Sequence, residues 1–267
     1  MNYKILFLGD VCGESGRRAL GKGIKFLKEK YQPDVIIVNG ENAAGGFGIT
    51  PKIVQDFLSL GIDCITLGDH TFDRKEIINY LEKENHIIRP LNYPPGTPGK
   101  GVCILEKNNQ RVIIINLIGR VFMKPVDCPF RRIDEELIKI DNKNIIIVDF
   151  HAEATAEKKA LGYFLDGRVS AVLGTHTHIP TADEQILPKG TAYITDVGMC
   201  GAHDSVLGME IEDSLKRLLY GINYRLNPAN NNLKVEGVII EINPTTYKVQ
   251  KIERICEKNL ELNPVSF

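Results

Sequence analysis

Ile145-Ile146-Ile147-Val148-Asp149-Phe150-His151 is an apolar, β-branched run that meets a histidine at its end. Strands buried on both faces of an α/β sheet read this way, as continuous apolar segments rather than alternating ones. The same signature recurs at Lys4–Leu8, Val35–Val38, Cys64–Leu67 and Ala171–Leu173. Helical patterns over residues 16–30, 51–60, 74–84, 131–140 and 155–165 alternate with these runs. Thr50-Pro51 marks one helix start, an N-cap followed by a proline where no backbone donor is needed. Two hairpins break the rhythm, residues 101–106 with 111–117 and residues 235–242 with 247–255. The pattern predicts an α/β protein with a mixed sheet, or two sheets, in one domain spanning residues 1–267.

Composition narrows the function classes. The chain has 267 residues and a formal net charge of −1, which excludes a protein built to coat nucleic acid. No apolar run approaches the roughly 18 residues of a spanning helix, and Met1-Asn2-Tyr3-Lys4 leads straight into a strand without a signal-peptide pattern. A cytoplasmic location is the expectation. Cysteines 12, 64, 103, 128, 200 and 256 are scattered without a CxxC pair, so they form neither a disulfide framework nor a zinc finger. Gly16–Gly23 nearly spells a P-loop, but Gly23 stands where the motif needs a hydroxyl and the stretch lies inside a helical pattern.

The chemistry sits where the apolar runs end. They deliver Asp10, then Glu41-Asn42, then Asp69-His70, then His151, then His176 and His178. In α/β sheets that edge is where ligands bind. Carboxylates, an amide and imidazoles are the ligands of a hard or borderline divalent metal. Asp10, Glu41, Asn42, Asp69, His151, His176 and His178 are more donors than one ion takes from a protein, so two ions about 3.5–4 Å apart are expected, with one carboxylate bridging. Gly45-Gly46-Phe47-Gly48 is expected to let backbone approach a bound phosphate closely. His86 and His203 lie outside the pattern and read as structural.

Gly9-Asp10, Asn39-Gly40-Glu41-Asn42, Gly68-Asp69-His70, His151 and Gly174-Thr175-His176-Thr177-His178 together resemble the calcineurin-like metallophosphoesterases. With Thr195–Met199 they look like one bacterial branch, the YmdB-like 2′,3′-cyclic-nucleotide 2′-phosphodiesterases. The resemblance implies a four-layer αββα sandwich of two mixed sheets flanked by helices. It implies one ion on Asp10, Glu41, Asn42 and His178, and another on Glu41, Asp69, His151 and His176, with iron expected and manganese an alternative. It implies hydrolysis of a 2′,3′-cyclic nucleotide by a metal-bridging hydroxide attacking in line, with His70 as proton donor. Two departures stand out. Cys12 replaces the usual first-motif histidine, with Asn42 taking its coordination place, and Asp69 replaces the usual asparagine, which adds negative charge and should lower Lewis acidity. Other phosphoesters (RNA ends, a 3′,5′-cyclic nucleotide, a monoester) and a regulatory metalloprotein with weak hydrolysis stay open as alternatives. No further substrate-binding residue is readable. The implied partner is a small cyclic nucleotide, with no stable nucleic-acid binding and no membrane; a homo-oligomer is also implied by the branch.

Overall fold

The structure, a computed structural model, describes residues 2–141 and 143–258; residues 259–267 of the expected domain lie outside it, as do Met1 and Asn142. The first apolar runs form parallel neighbours: β1 (Tyr3–Leu8), β3 (Val35–Asn39), β4 (Cys64–Thr66) and β5 (Ile87–Ile88). On the other side of β1 lies β13 (Leu233–Ile242), antiparallel, and β14 (Val249–Glu257) pairs with β13 in turn. Where β1 ends, Gly9 donates to the Glu236 carbonyl and the chain changes partner. It continues as β2 (Asp10–Val11), parallel to β12 (Met199–Ala202), which itself pairs with the start of β13. These strands make an eight-stranded sheet.

The second sheet has six strands in the order β10 (Gln185–Ile186), β11 (Ala192–Ile194), β9 (Ala171–Thr175), β8 (Ile145–His151), β7 (Gln110–Ile118), β6 (Val102–Lys107). β7, β8, β9 and β11 run parallel, and the hairpin partner β6 and the edge strand β10 run antiparallel. Both sheets are therefore mixed, and both predicted hairpins are present.

Strand side chains alternate between faces, and the cores follow that alternation. Ile5, Phe7, Val35 and Ile37 pack with Ile114, Ile147, Ala171 and Leu173 between the sheets. Leu6, Leu8, Ile36 and Val38 face the other way, onto Leu20 and Leu27 of α1 (Gly13–Tyr31) and Ile53 and Phe57 of α2 (Pro51–Ser59). The outer face of the second sheet takes Ile133 of α4 (Pro129–Leu137) and Leu161 and Leu165 of α5 (Thr155–Leu165). The result is helix, sheet, sheet, helix.

Local chemistry explains the helix ends. Thr50 Oγ1 accepts from the Ile53 N–H ahead of Pro51, as its sequence requires. The expected helix over 74–84 is shorter, a 3₁₀ turn (Lys75–Ile77) running into α3 (Ile78–Leu81). Only Ile77 and Leu81 of this segment are buried, so a single turn is anchored to the core. The P-loop-like stretch lies inside α1, where Gly16 packs against the Cys200 carbonyl. Cys12, Cys64, Cys103 and Cys200 are buried and free. A sixth helix, α6 (Ile211–Tyr220), buries only Ser214. Among the described residues no helix is long and apolar enough to cross a membrane.

Ile147→Ala, which opens a cavity between the sheets, is expected to cost about 2–5 kcal/mol. Ile104→Ala, at a half-exposed β6 position, should change stability by less than about 0.5 kcal/mol. Urea titration of both variants checks the layer assignment, which equal losses would contradict.

Candidate metal centre

Donors reach one place from opposite sides of the seam between the sheets. The first sheet contributes Asp10 in β2, Glu41 and Asn42 just after β3, and Asp69 and His70 just after β4. The second contributes His151 at the end of β8, and His176 and His178 just after β9. Carboxylates thus come from one sheet, and three of the four imidazoles from the other.

One group is tight: ligand atoms of Glu41, Asp69, His151 and His176 lie within 4.8 Å of one another. His151 Nε2 is 2.9 Å from Glu41 Oε1, 3.2 Å from Asp69 Oδ1 and 3.0 Å from His176 Nδ1. A second group adjoins through Glu41. Asn42 Nδ2 lies 3.3 Å from Glu41 Oε1, 3.1 Å from His178 Nε2 and 3.5 Å from Asp10 Oδ1. A half-turn of that amide presents its oxygen instead, the atom a cation needs.

Each imidazole has one nitrogen pinned to an oxygen, which leaves the other for the centre. His151 Nδ1 meets Thr175 Oγ1 at 2.9 Å, and that hydroxyl donates to Asp149 at 2.7 Å. His178 Nδ1 donates to the Leu207 carbonyl at 3.0 Å, and His176 Nε2 faces Glu153 at 3.1 Å. His70 Nδ1 is held by Asp73 at 2.7 Å, with its Nε2 3.8 Å from Asp69. The His70 backbone N–H donates to Glu41 Oε2 at 3.0 Å, so ring and carboxylate are positioned together.

Burial sets the electrostatics. Desolvation pushes the Asp10 carboxyl up, against the pull of His178 and His151. Burial also works to raise Glu41 and Asp69, yet His151 outweighs it and holds both below the usual carboxylate range. Burial would lower His151, but the charge of Glu41 and the hydrogen bond to Asp69 lift it well above an ordinary imidazole. His176, half-buried beside His151, is pushed down to about 4 by desolvation and the His151 charge. Among the described residues, no Lys or Arg forms an ion pair with Asp10, Glu41 or Asp69; their charged partners are histidines. Buried carboxylates and imidazoles converging without a fixed cation are a donor set that fits divalent metal.

The backbone is bent to reach this arrangement. His176 (φ 100°) and His178 (φ 63°) both occupy the left-handed region, which side chains other than glycine rarely adopt. A buried ion pair holds the loop there. Lys158 Nζ donates to the Thr175 carbonyl at 2.7 Å and to Asp196 at 2.8 Å, and Asp196 accepts from the Thr177 N–H at 3.0 Å. Glycines allow the approach: a Cβ on Gly174 would stand 1.7 Å from the Thr195 carbonyl oxygen, and one on Gly68 would stand 2.3 Å from Glu41 Oε2.

Several participants carry no signal at strand ends. Asp73, Glu153, Asp196 and Lys158 act through other residues, and α6 supplies a wall of the cleft above the centre. Ile211, Ser214, Leu215 and Leu218, followed by Gly221, carried a helical spacing and stop that could have revealed α6. The cleft, about 450 Å³, is lined by Glu41, Asn42, His70, His176 and His178 together with the apolar Phe47, Leu207 and Leu218. Gly46 also lines it. Cys12 is absent from the cleft; it packs with Met199 and Met209, and burial pushes its thiol up to about 12. His86 pairs with Glu84, and His203 with Glu236, both away from the centre.

An αββα sandwich carrying such a cluster at its strand ends is the architecture of a metallophosphoesterase. The family model for YmdB-like proteins matches residues 6–255, and the chain belongs to that family. It is 48% identical over 253 residues to a 2′,3′-cyclic-nucleotide 2′-phosphodiesterase of Bacillus subtilis, covering 94% of this chain and 96% of that protein. A Thermus thermophilus structure described as a hypothetical protein superposes with a TM-score of 0.91 at 41% identity, over 96% of this chain and 99% of that one. A structure described as a novel phosphatase from Mycoplasma pneumoniae gives 0.92 at 37% identity, over 97% and 94%.

Lys158→Met strands the buried Asp196 charge and is expected to cost about 3–5 kcal/mol. Adding Asp196→Asn should recover part of that loss. Thermal unfolding of the single and double variants tests the clamp, and a double variant worse than the sum of both singles would refute it.

Proposed function

We propose that this chain is a metal-dependent phosphodiesterase that opens 2′,3′-cyclic nucleoside monophosphates. The observation that carries this reading is the convergence of Glu41, Asp69, His151 and His176 in a member of the YmdB-like family, whose Bacillus relative bears that activity in its name. In this reading Asp10, Glu41, Asn42 and His178 hold one ion and Glu41, Asp69, His151 and His176 hold another. Iron is the proposed occupant and manganese the substitute. Metal bound there supplies Lewis acidity, which makes water acidic near neutral pH and polarises phosphoryl oxygens.

The protein's own groups do the rest. His70 is the proposed acid: Asp73 fixes the Nδ1 hydrogen, so Nε2 is the nitrogen left to carry a proton into the cleft. Water loses one proton to solvent as its oxygen adds to phosphorus, the ester bond to the 2′ oxygen breaks in line with it, and that oxygen takes the His70 proton, which solvent then restores. Gly46 and Phe47 place the loop after Asn42 along the cleft, where its backbone can lie close to a phosphate. Glu41 links acid and ligands, since it accepts from the His70 backbone N–H.

The first test is hydrolysis of 2′,3′-cyclic AMP, with 3′,5′-cyclic AMP alongside, by metal-analysed protein. Ring opening selective for the 2′,3′ compound, abolished by chelator and restored by Mn²⁺ or Fe²⁺, is expected. Stoichiometric metal without turnover on either substrate would favour the regulatory reading, for which the extra carboxylate of Asp69 is the specific feature.

His70→Ala should keep metal and lose about 10²–10⁴-fold in kcat. Glu41→Gln should lower both metal content and turnover. Metal analysis beside kinetics separates the roles, and equal metal loss in the two variants would contradict them.

A further inference from the structure

We propose that the cleft beyond Phe47 is a second anion subsite, which holds a phosphoryl group on the 5′ side of the nucleoside whose cyclic phosphate lies at the metal centre. The inference rests on the phosphodiesterase reading above. A second cavity of about 370 Å³ adjoins the catalytic cleft and shares Phe47, Arg217 and Leu226 with it. It extends from there to Arg74, Tyr224 and Arg225.

Its charge is one-sided. Arg74, Arg217 and Arg225 line it and no carboxylate does, in a chain whose acidic and basic residues nearly balance. Arg74 is committed to structure, since its Nε donates to the Phe47 carbonyl at 3.1 Å and it also reaches the Ala44 carbonyl. Arg217 and Arg225 make no side-chain hydrogen bond or ion pair among the described residues. The nearby acids are engaged elsewhere: Glu212 pairs with Lys216, and Asp213 accepts from Asn227. Two unpaired guanidiniums present the planar donor forks that match a phosphoryl group. Phe47 and Tyr224 add aromatic faces on which a base can stack.

A nucleoside 2′,3′-cyclic phosphate has a single phosphorus, and the metal centre accounts for it. A second anion site in a cavity that shares Phe47, Arg217 and Leu226 with the catalytic cleft is useful only if the substrate carries another phosphate. Two sources share that chemistry: a 5′-phosphorylated mononucleotide, and an RNA fragment whose internucleotide phosphate precedes its cyclic end. RNA cleavage by attack of its own 2′-hydroxyl leaves such ends, so that class of reaction would supply the substrate.

The test compares kcat/KM of the metal-loaded enzyme on adenosine 2′,3′-cyclic phosphate, its 5′-phosphorylated form, and the dinucleotide ApA ending in a 2′,3′-cyclic phosphate. The upstream phosphate is expected to raise kcat/KM by about 10- to 100-fold, as one or two charge-assisted hydrogen bonds do. Within Arg217→Ala and Arg225→Ala, the ratio of phosphorylated to plain substrate should fall, and in the double variant it should approach one. A gain with both phosphorylated probes makes a terminal phosphate sufficient, whereas a gain with the dinucleotide alone assigns the site to RNA ends. Equal kcat/KM on all three probes, or a gain that survives in the double variant, overturns the subsite while leaving the phosphodiesterase reading intact. No turnover on any probe overturns that reading and the subsite with it.

Discussion

Asp10 and Glu41 are buried with the half-buried Asp69 close by, and histidines are the only charged partners of these three carboxylates among the described residues. Removing such charges from water costs several kcal/mol each unless something compensates. The surrounding architecture is arranged around that cost. Parallel strands of one sheet end together and deliver the acids; strands of the other deliver His151, His176 and His178. The sandwich also keeps solvent from one side, which makes the acids a strong demand for a cation. The imidazoles answer it in part, as the raised affinity of His151 for a proton shows.

That demand explains why the backbone after β9 is strained. Two histidines two residues apart in a regular strand would point to the same side of it. Here both leave the strand in left-handed conformations, one toward the Glu41–Asp69 group and the other toward Asp10 and Asn42. Conformations of this kind cost on the order of 1–3 kcal/mol each and persist only when neighbours over-determine them. Lys158 and Asp196 are those neighbours, and they act through backbone groups of Thr175 and Thr177 rather than through the histidines themselves.

Much of this was legible in the residues. The continuous runs at 4–8, 35–38 and 145–148 announced strands buried on both faces, because each face meets a different core. The same runs named the residues at their ends, since a side chain just past a strand is fixed in space by the strand. What acts through a second residue was hidden. Asp73 and Glu153 are ordinary surface-type acids until the fold sets them against His70 and His176. Lys158 lies in a helix and reads as solvated, although the fold buries it completely against Asp196. α6 is harder to read: Ile211, Ser214, Leu215 and Leu218 share a helical spacing, but that face borders the cleft rather than a core, and Leu218 remains about three-quarters exposed.

The division of donors between the sheets makes the centre a gauge of how the sandwich is spaced. Asp10, Glu41 and Asp69 move with one sheet and His151 and His176 with the other, while ligand distances tolerate only a few tenths of an ångström. The thickness of the layer built by Phe7, Ile37, Ile114 and Ile147 therefore helps to fix the bite presented to an ion. Repacking deep between the sheets bears on the spacing of the donors as well as on stability. In such a fold the distances between donors are set in part by residues that never touch an ion.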